Sequence, residues 1–414
     1  MKIVIATAVY YPMINGVAVF SHNLAIGLTK RGNEVMVICP SQTGRNYTRM
    51  IDGIKMVYLK SVAAKVYPDQ IHAVPAKKKV FGVEWPHLWY RHGFRVSIFP
   101  QREVRKALDE FQPDVVHIQV SDPIGLSVAG YARKHGIPVV TTEHNQPEVI
   151  TEPLHVPGLM KKPVDAALTA YFVNRQSKSD FVTMPTTQAI DNLIWSRGKD
   201  FAVPVAAVSN GVDLSNFRPG KAPDELYEKY KLNKNYKTLL SLGRVDPEKN
   251  VGLVIDAFIK VKRQLSGVQL VIVGDGVDKA RLEKKVAKYD DIHFLGRIVP
   301  PELYKVYQLG DVFVTASEIE TQGIVLIEAA ACGLPIIAVD KGAVKEVCIT
   351  GENGYLCRPG DINEISEAMV KILTNDKKYK EFSRNSLAIA AEHNFEKTLD
   401  KFINIYNKVI ENKK

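Results

Sequence analysis

Long apolar runs, C-x-x-C pairs of cysteines and D-x-D pairs of aspartates are all absent from this sequence of 414 residues. No segment reaches the roughly 20 apolar residues that a transmembrane helix needs, so we expect no such helix. The four cysteines lie far apart without a C-x-x-C pair, which argues against zinc or redox chemistry and favours reduced, buried thiols in a cytoplasmic protein. Residues 1–12 carry one lysine and no small-residue cleavage site, and we interpret them as a first strand instead of a signal peptide.

Charge is distributed unevenly along the chain. The formal net charge is +10, and residues 1–180 contain 22 basic and 14 acidic side chains, so most of the surplus lies in the first half. This asymmetry indicates contact with something anionic, such as phosphate groups, an acidic lipid surface or nucleic acid. A generally basic proteome is the alternative explanation.

Short β-branched runs alternate with amphipathic segments in both halves of the chain. This pattern predicts parallel sheets covered by helices on both faces, and the length suits two domains. We therefore expect an α/β protein with two Rossmann-like, doubly wound domains, residues 1–200 and 201–395, and a last helix at 396–414 that packs back on the first domain. The predicted strands are 2–9, 34–39, 115–119, 139–143, 181–184, 238–242, 269–273, 312–315 and 335–339.

Two loops after predicted strands stand out in the first half. Gly16, close to a helix start, would let backbone amides approach an anion such as a diphosphate, although it could equally be a turn residue. The same loop has no G-x-G-x-x-G, which counts against a nicotinamide or flavin cofactor. His144 follows a later strand on a polar turn, where either a functional or a structural role is open.

The second half carries cations and glycines in equivalent loops. Arg244 and Lys249 lie five residues apart between a strand and a helix, where they could neutralise a diphosphate leaving group or form a solvated charge pair. Gly274 and Gly276 form a G-D-G loop at another strand end, a pattern that suits several nucleotide-binding folds.

Two glutamates form the most informative element. Glu320 precedes a predicted helix, and Glu328 follows eight residues later, roughly two turns along it. Glu328 lies in an apolar run, where a carboxylate is costly unless it accepts hydrogen bonds, and the paired hydroxyls of a ribose would supply them. A bond to a helix cap or an ion pair is the alternative.

Together these motifs resemble the retaining glycosyltransferases of the GT-B fold, specifically family 4. The resemblance is carried by the E-x7-E spacing of the two glutamates, the Arg244 and Lys249 loop and the G-D-G loop. It also includes A-C-G-L-P at 331–335, S-N-G-V-D at 209–213, Pro12, Gly16 and His144. One departure is Asn15, which stands where many relatives have a second glycine.

The resemblance implies a donor site in the second domain and an active site in the cleft between the domains. The residues assigned to catalysis are His144, Glu320, Arg244 and Lys249. The residues assigned to the nucleotide-sugar donor are Gly16, Arg244, Lys249, Gly274, Ile298, Glu320, Thr321, Gln322, Gly323, Ile324 and Glu328. In this assignment Arg244 and Lys249 bind the phosphates, and Glu328 binds the ribose. Glu320 and the backbone of residues 321–324 bind the sugar, and the backbone near Arg297 and Ile298 meets the base.

The resemblance further implies retention of the anomeric configuration by a front-face route, with Glu320 as an electrostatic and positioning group. No D-x-D pair occurs in the chain, which fits arginine and lysine in place of a divalent metal. We therefore expect no metal and no cofactor beyond a donor of the UDP-glucose or GDP-mannose type.

The acceptor is predicted to be a lipid. Glu-Thr-Gln-Gly at 320–323 is similar to the form in bacterial diacylglycerol glucosyltransferases and phosphatidylinositol mannosyltransferases. Residues 77–105 interleave lysine and arginine, including Arg91, Arg95, Arg102 and Arg105, with aromatic side chains, which suits peripheral contact with an anionic membrane at its inner face. Ordinary helix packing is the alternative for this stretch. A soluble or polysaccharide-precursor acceptor and a nucleotide-sugar epimerase remain open, whereas no nucleic-acid motif is present.

Overall fold

The computed structural model describes residues 1–11, 13, 15–63, 95–144, 158–195 and 203–413. Pro12, the basic and aromatic residues between 77 and 94, and most of the expected domain junction, 197–202, lie outside the described residues. The chain divides into two compact units. Unit 1 comprises Met1–Ser209 and Thr398–Lys414, and unit 2 comprises Asn210–Lys397.

Unit 1 contains an eight-stranded sheet and a two-stranded sheet. Its strands are Lys2–Ala6 (β1), Glu34–Pro40 (β2), Tyr47–Ile51 (β3), Ile54–Leu59 (β4), Val62–Ala63 (β5), Arg95–Val96 (β6), Val115–Ile118 (β7), Val139–Thr142 (β8), Phe181–Met184 (β9) and Val205–Ala207 (β10). The strand order in the large sheet is β10-β9-β8-β7-β1-β2-β4-β3, and β5 pairs with β6. Neighbouring strands of the large sheet are parallel except β3, which pairs antiparallel with β4 at the edge. The strand β3, which was not predicted, thus adds one antiparallel edge strand to the predicted parallel sheet.

The described α-helices before β10 are Gly16–Lys30 (α1), Gln101–Phe111 (α2), Pro123–Lys134 (α3), Gly158–Gln176 (α4) and Thr187–Trp195 (α5). Two helices of unit 1, α1 and α3, begin after residues whose side chains satisfy free backbone amides. Asn15 caps α1 by accepting a hydrogen bond from the amide of Ala18 at 2.9 Å. Asp122 caps α3 in the same way, with Pro123 at the first helical position.

Unit 2 contains a six-stranded, wholly parallel sheet. Its strands are Lys237–Leu242 (β11), Val268–Val273 (β12), Ile292–Gly296 (β13), Val312–Val314 (β14), Ile336–Val339 (β15) and Gly354–Cys357 (β16), in the order β13-β12-β11-β14-β15-β16. The α-helices after β10 are Asp224–Tyr230 (α6), Val251–Lys262 (α7), Lys279–Val286 (α8), Glu302–Tyr307 (α9), Ile324–Ala331 (α10), Ile362–Leu373 (α11), Asp376–Glu392 (α12) and Phe395–Glu411 (α13). Successive residues of β11, such as Leu239 and Leu240, belong to different apolar clusters, so both faces of the sheet are covered.

The last helix, α13, supplies its apolar face to unit 1 from Thr398 onward. Phe402 and Tyr406 are fully buried, and the Phe402 ring lies 5.9 Å from that of Phe20 on α1. The phenol oxygen of Tyr406 lies 2.7 Å from Nδ1 of His117 on β7. The core of unit 1 therefore joins residues that are 289 positions apart, as for His117 and Tyr406, and 382 positions apart, as for Phe20 and Phe402.

Each sheet has one point where the strand order reverses. In unit 1 the reversal lies between β1 and β7, and in unit 2 it lies between β11 and β14. Ligands of open parallel sheets bind at such points, beyond the carboxyl ends of the strands. The loops that follow these four strands are therefore the expected places for a ligand. Among the described helices, none is long and apolar enough to cross a membrane.

Candidate active site

The loop after β11 carries Arg244, whose guanidinium is paired with two carboxylates of its own loop. Its Nη1 donates to Asp246, and its Nη2 donates to Glu248. Asp246 is 8% exposed, and its other oxygen accepts a hydrogen bond from the amide of Val277 at 3.0 Å. Asp246 therefore links Arg244 to the G-D-G loop that follows β12.

Glycines let these two loops approach closely. A Cβ on Gly274 would lie 1.7 Å from the carbonyl oxygen of Gly243, and one on Gly276 would lie 2.4 Å from Oδ1 of Asp246. Gly274 and Gly243 also have positive φ angles of 142° and 152°. A larger residue at Gly274 or Gly276 would push the loops apart, and Gly274 is favoured as glycine by its backbone conformation as well.

Lys249 joins the loop after β11 to the loop after β14. Its Nζ lies 2.6 Å from Oε1 of Glu320 and 3.3 Å from the carbonyl oxygen of Ile319. Both charged side chains are mostly buried, with 18% and 15% of their side-chain surface exposed. The structure thus brings together two predicted site residues that are 71 positions apart, directly at the reversal point of the sheet.

The segment between Glu320 and α10 is held in place by hydrogen bonds of its backbone and of the Gln322 side chain. The carbonyl oxygen of Glu320 accepts a hydrogen bond from the amide of Ala343 at 3.3 Å. Gly323 caps α10 with a φ of 72°, in the left-handed region. The carboxamide of Gln322 is turned inward, where Oε1 accepts from the amide of Asn210 at 3.2 Å. Thr321 and Ile324 complete this turn, so the amides of the first turn of α10 start next to Glu320.

Glu328 lies in the middle of α10 and accepts a hydrogen bond from the hydroxyl of Tyr307 at 2.5 Å. Burial raises the pKa of Glu328 to about 7, and the bond from Tyr307 opposes that rise. The carboxylate is therefore available as an acceptor near neutral pH, and it becomes protonated in mildly acidic solution.

The loop after β13 supplies the two residues expected near the base. Ile298 is partly buried against the core of unit 2. Burial lowers the pKa of the Arg297 guanidinium, and the nearby Asp275 opposes this shift. Their backbone groups follow β13, the outermost strand on that side of the sheet.

In unit 1, Gly16 and His144 follow β1 and β8. Gly16 is the first residue of α1, where free amides point away from the helix, and a Cβ there would meet nothing within 4 Å. The space beside Gly16 is consistent with a ligand as well as with a plain turn.

His144 is buried at 7% exposure and is held on two sides. Its Nε2 lies 2.8 Å from Oε1 of Gln119, and its ring packs edge-on against Phe20 at 5.3 Å. Because a carboxamide oxygen only accepts, Nε2 of His144 carries the hydrogen. Burial lowers the pKa of His144 to about 3, so the ring is neutral at physiological pH. The amide nitrogen of Gln119 in turn lies 3.2 Å from both ring nitrogens of His117.

Sequence relatives cover nearly the whole chain. A family model described as glycosyl transferases group 1 matches residues 223–388, and one described as glycosyltransferase family 4 matches residues 14–216. An alpha-monoglucosyldiacylglycerol synthase of Streptococcus pneumoniae is 30% identical over 348 residues, which are 82% of this chain and 71% of the relative. The chain belongs to glycosyltransferase family 4.

Two further relatives align over almost the whole chain, one with the same name and one with a different name. The alpha-monoglucosyldiacylglycerol synthase of Acholeplasma laidlawii is 28% identical, with 93% of this chain and 92% of the relative aligned. A GDP-mannose-dependent alpha-mannosyltransferase of Mycobacterium tuberculosis is 27% identical, with 94% and 92% aligned.

Solved structures confirm the predicted GT-B fold. A sucrose-phosphate synthase from Thermosynechococcus elongatus matches with a TM-score of 0.72 and 18% identity, covering 99% of each chain. HepE from Anabaena, solved in complex with UDP-glucose, matches with a TM-score of 0.69 and 16% identity, covering 99% of this chain and all of that chain. The family 4 assignment and the doubly wound α/β class are thus confirmed.

Three contacts of this family 4 chain were missed by sequence reasoning. Asp246, Gln119 and Tyr307 each hold a predicted site residue in place. Asp246 could have been suspected, because an acid two residues from Arg244 is within reach of it. Gln119 and Tyr307 lie 25 and 21 positions from their partners, and no spacing rule relates them.

Proposed function

We propose that this glycosyltransferase moves a hexose from a nucleotide-diphosphate sugar to the hydroxyl of a membrane glycerolipid, with retention of the anomeric configuration. The donor is of the UDP-glucose or GDP-mannose type. In this proposal Lys249 and Arg244 bind the diphosphate, and Glu328 binds the ribose. Glu320 and the amides at the start of α10 bind the hexose. His144 is assigned to the transferred sugar, Gly16 and Gly274 to the diphosphate, and the backbone at Ile298 to the base.

The observation that carries the proposal is the contact of Lys249 with Glu320 at the reversal point of the unit 2 sheet. A cation and an acid held side by side suit a ligand with an anionic part and a hydroxyl-rich part. In the complex with donor, the diphosphate would bind the ammonium group of Lys249, and the sugar hydroxyls would donate hydrogen bonds to the carboxylate of Glu320. Arg244 lies in the same loop with a planar guanidinium that suits bidentate phosphate binding.

The decisive experiment is a donor and acceptor screen followed by mass spectrometry. UDP-glucose, UDP-galactose, GDP-mannose and ADP-glucose are each incubated with diacylglycerol, with phosphatidylinositol and with soluble sugars. A glycosylated lipid supports the proposal. If only a soluble acceptor is glycosylated, the enzyme is a glycosyltransferase but its acceptor is not a lipid. Conversion of the donor sugar into its epimer, without transfer to any acceptor, would identify a nucleotide-sugar epimerase instead.

The role of Lys249 is testable with a matched lysine. Lys249→Met removes the cation beside the leaving diphosphate and is expected to lower kcat/KM about 100-fold. Lys262→Met is the control, because Lys262 also pairs with a carboxylate, that of Asp291 at 2.5 Å, but lies at the end of α7 far from the loop after β11. Equal activity of the two variants would show that Lys249 does not contribute to binding of the leaving diphosphate.

Metal independence and retention are part of the proposal. Among the residues described by the structure, no group of three or more histidine, cysteine or acidic side chains is arranged to hold a metal ion. We expect full turnover in EDTA, because Arg244 and Lys249 supply the positive charge for the leaving group. Loss of turnover in EDTA with recovery on adding manganese would refute this. The anomeric proton of the first product, observed by NMR, tests retention.

A lipid acceptor is supported by the names of the two synthases that align with this chain. The membrane surface proposed for residues 77–105 can be traced only from Arg95 onward. The prediction that Arg95 faces a membrane was wrong, because Arg95 is 3% exposed and donates hydrogen bonds to the carbonyl oxygens of Ser41 and Ser61. Ile98 and Phe99, in contrast, are 56% and 84% exposed.

The exposed pair stands directly before α2, which carries exposed Arg102 and Arg105. Apolar side chains that enter the interface beside cations that attract anionic headgroups form a peripheral membrane surface. We define residues 98–105, without the buried Pro100 and Val104, as the α2 surface. The proposal places the anionic leaflet, which also holds the acceptor, against this surface.

A further inference from the structure

Tyr307 is the last residue of α9 and has no exposed surface. Its hydroxyl donates to Oε2 of Glu328 on α10. The helices α9 and α10 precede and follow β14, the strand whose following loop carries Glu320. One hydrogen bond thus connects both sides of the strand that leads into the candidate donor site.

The ring of Tyr307 is fixed by aromatic neighbours. Phe217 packs edge-on at 5.5 Å, and Phe313 of β14 packs at 6.4 Å. A ring packed this tightly can place its hydroxyl in only one position. A buried hydroxyl needs a partner, so the carboxylate of Glu328 is drawn to that position as well.

We infer that Tyr307 is a positioning residue that holds the carboxylate of Glu328 in the orientation that accepts the ribose hydroxyls of the donor. The inference rests on the proposed function, in which Glu328 binds the ribose. A carboxylate has about four lone-pair positions, so one bond from Tyr307 leaves acceptor capacity for two neighbouring hydroxyls. A glutamate without this bond would sample several rotamers and would lose entropy when the donor binds.

The surroundings of Glu328 give the bond a second effect. Tyr307, Tyr304 and Cys332 face the carboxylate, and burial raises the pKa of each, so all three are uncharged near neutral pH. Of these neighbours, Tyr307 is the one whose bond lowers the pKa of Glu328 and so favours the ionised form. Its removal is expected to affect both the orientation and the charge of Glu328.

The test measures the affinity of the unliganded protein for UDP and for GDP by calorimetry between pH 5.5 and pH 9. In the native protein we expect affinity to fall as the pH drops through about 7, because a protonated carboxyl loses acceptor capacity. Tyr307→Phe is expected to weaken binding about tenfold at pH 7 and to move the midpoint of the pH profile upward by about one unit. At pH 9 its defect is expected to be smaller.

Tyr230→Phe is the matched control. Tyr230 also donates its hydroxyl to a glutamate of unit 2, Glu302 at 2.5 Å, but that pair lies away from α10. We expect its pH profile to match the native one. Tyr307→Met is a second variant without the hydroxyl, in case the phenylalanine variant does not fold, because methionine adapts to irregular cores.

The outcomes separate the inference from the function on which it rests. If Glu328→Ala weakens nucleotide binding but Tyr307→Phe changes neither affinity nor midpoint, the inference fails and the ribose assignment stands. A loss in Tyr307→Phe that is equal at every pH also overturns it, because that pattern indicates a structural defect. Unchanged binding in Glu328→Ala overturns the ribose assignment itself and the inference with it.

Discussion

At the scale of single residues, the described part of unit 1 contains three buried histidines whose pKa values are lowered. Burial lowers the pKa of His22 to about 4 and of His117 to about 3, and His144 behaves like His117. Each of these pKa values lies below that of an unfolded histidine, so the unfolded chain takes up protons first as the pH falls. The stability they contribute is therefore complete above about pH 6.5 and is lost as the pH drops towards 4.

This effect is measurable as a difference between variants. Each such histidine is expected to lower the free energy of unfolding by about 2 kcal/mol between pH 7 and pH 5. His22→Asn keeps an acceptor for the hydroxyl of Tyr10, which lies 3.0 Å from Nδ1, and is expected to flatten the pH dependence by that amount. Urea unfolding at both pH values measures it. His135→Asn, at an exposed histidine, is the control for the substitution itself.

A comparison of variants is needed because other groups titrate with the opposite sign. Burial raises the pKa of Asp122 to about 6 and of Glu328 to about 7. Their contribution to stability is present at low pH and is lost as the pH rises through those values. An identical slope for native protein and His22→Asn would contradict the prediction, because it would show that His22 has the same pKa in the folded and unfolded states.

At the scale of elements, the start of α10 depends on one glycine. Gly323 has a φ of 72°, and a Cβ there would lie 2.9 Å from Cδ1 of Leu326. Gly323→Ala is therefore expected to cost at least about 1 kcal/mol of stability and to shift the first-turn amides. Because we assign those amides to the hexose, we expect KM for the donor to rise about tenfold, measured by initial rates.

Gly351→Ala separates the two effects. Gly351 also has a positive φ of 84°, but a Cβ there meets nothing within 4 Å, and it lies in the loop before β16. This control is expected to lose similar stability and to keep the native KM. A native KM in Gly323→Ala would argue against a role of the α10 amides in donor binding.

The elements themselves were largely predictable from sequence. Continuous β-branched runs such as 181–184 have the bounds of the observed strand β9. The edge strand β3 was missed because Tyr47–Ile51 is largely exposed and has neither a continuous apolar run nor a regular alternation of polar and apolar side chains. The donor loops could be found because they follow strands, whereas the contacts of Tyr307 and Gln119 depend on how separate elements pack, which no local pattern encodes.

At the scale of the whole molecule, the surplus of positive charge lies mainly in the first half of the sequence, where the α2 surface is found. We expect sedimentation with anionic vesicles, weaker sedimentation with neutral ones, and release by salt. Phe99→Ser is expected to weaken vesicle binding about tenfold, because burial of one aromatic side chain is lost. Val277→Ser, at a residue of unit 2 that is 72% exposed, is the control for a general loss of surface apolarity. Equal binding to both vesicle types would contradict the proposal that the α2 surface binds an anionic membrane.

The path of the chain through the two units has a consequence for biosynthesis. The ribosome must translate all of residues 210–397 before it reaches the segment of α13 that covers Phe20 and His117. At typical speeds of synthesis this takes about 10 to 40 seconds. Unit 1 begins first but is completed last, and its nascent sheet stays partly uncovered throughout that interval. A chaperone that recognises apolar nascent chains would therefore be needed most by the half of the enzyme that emerges earliest.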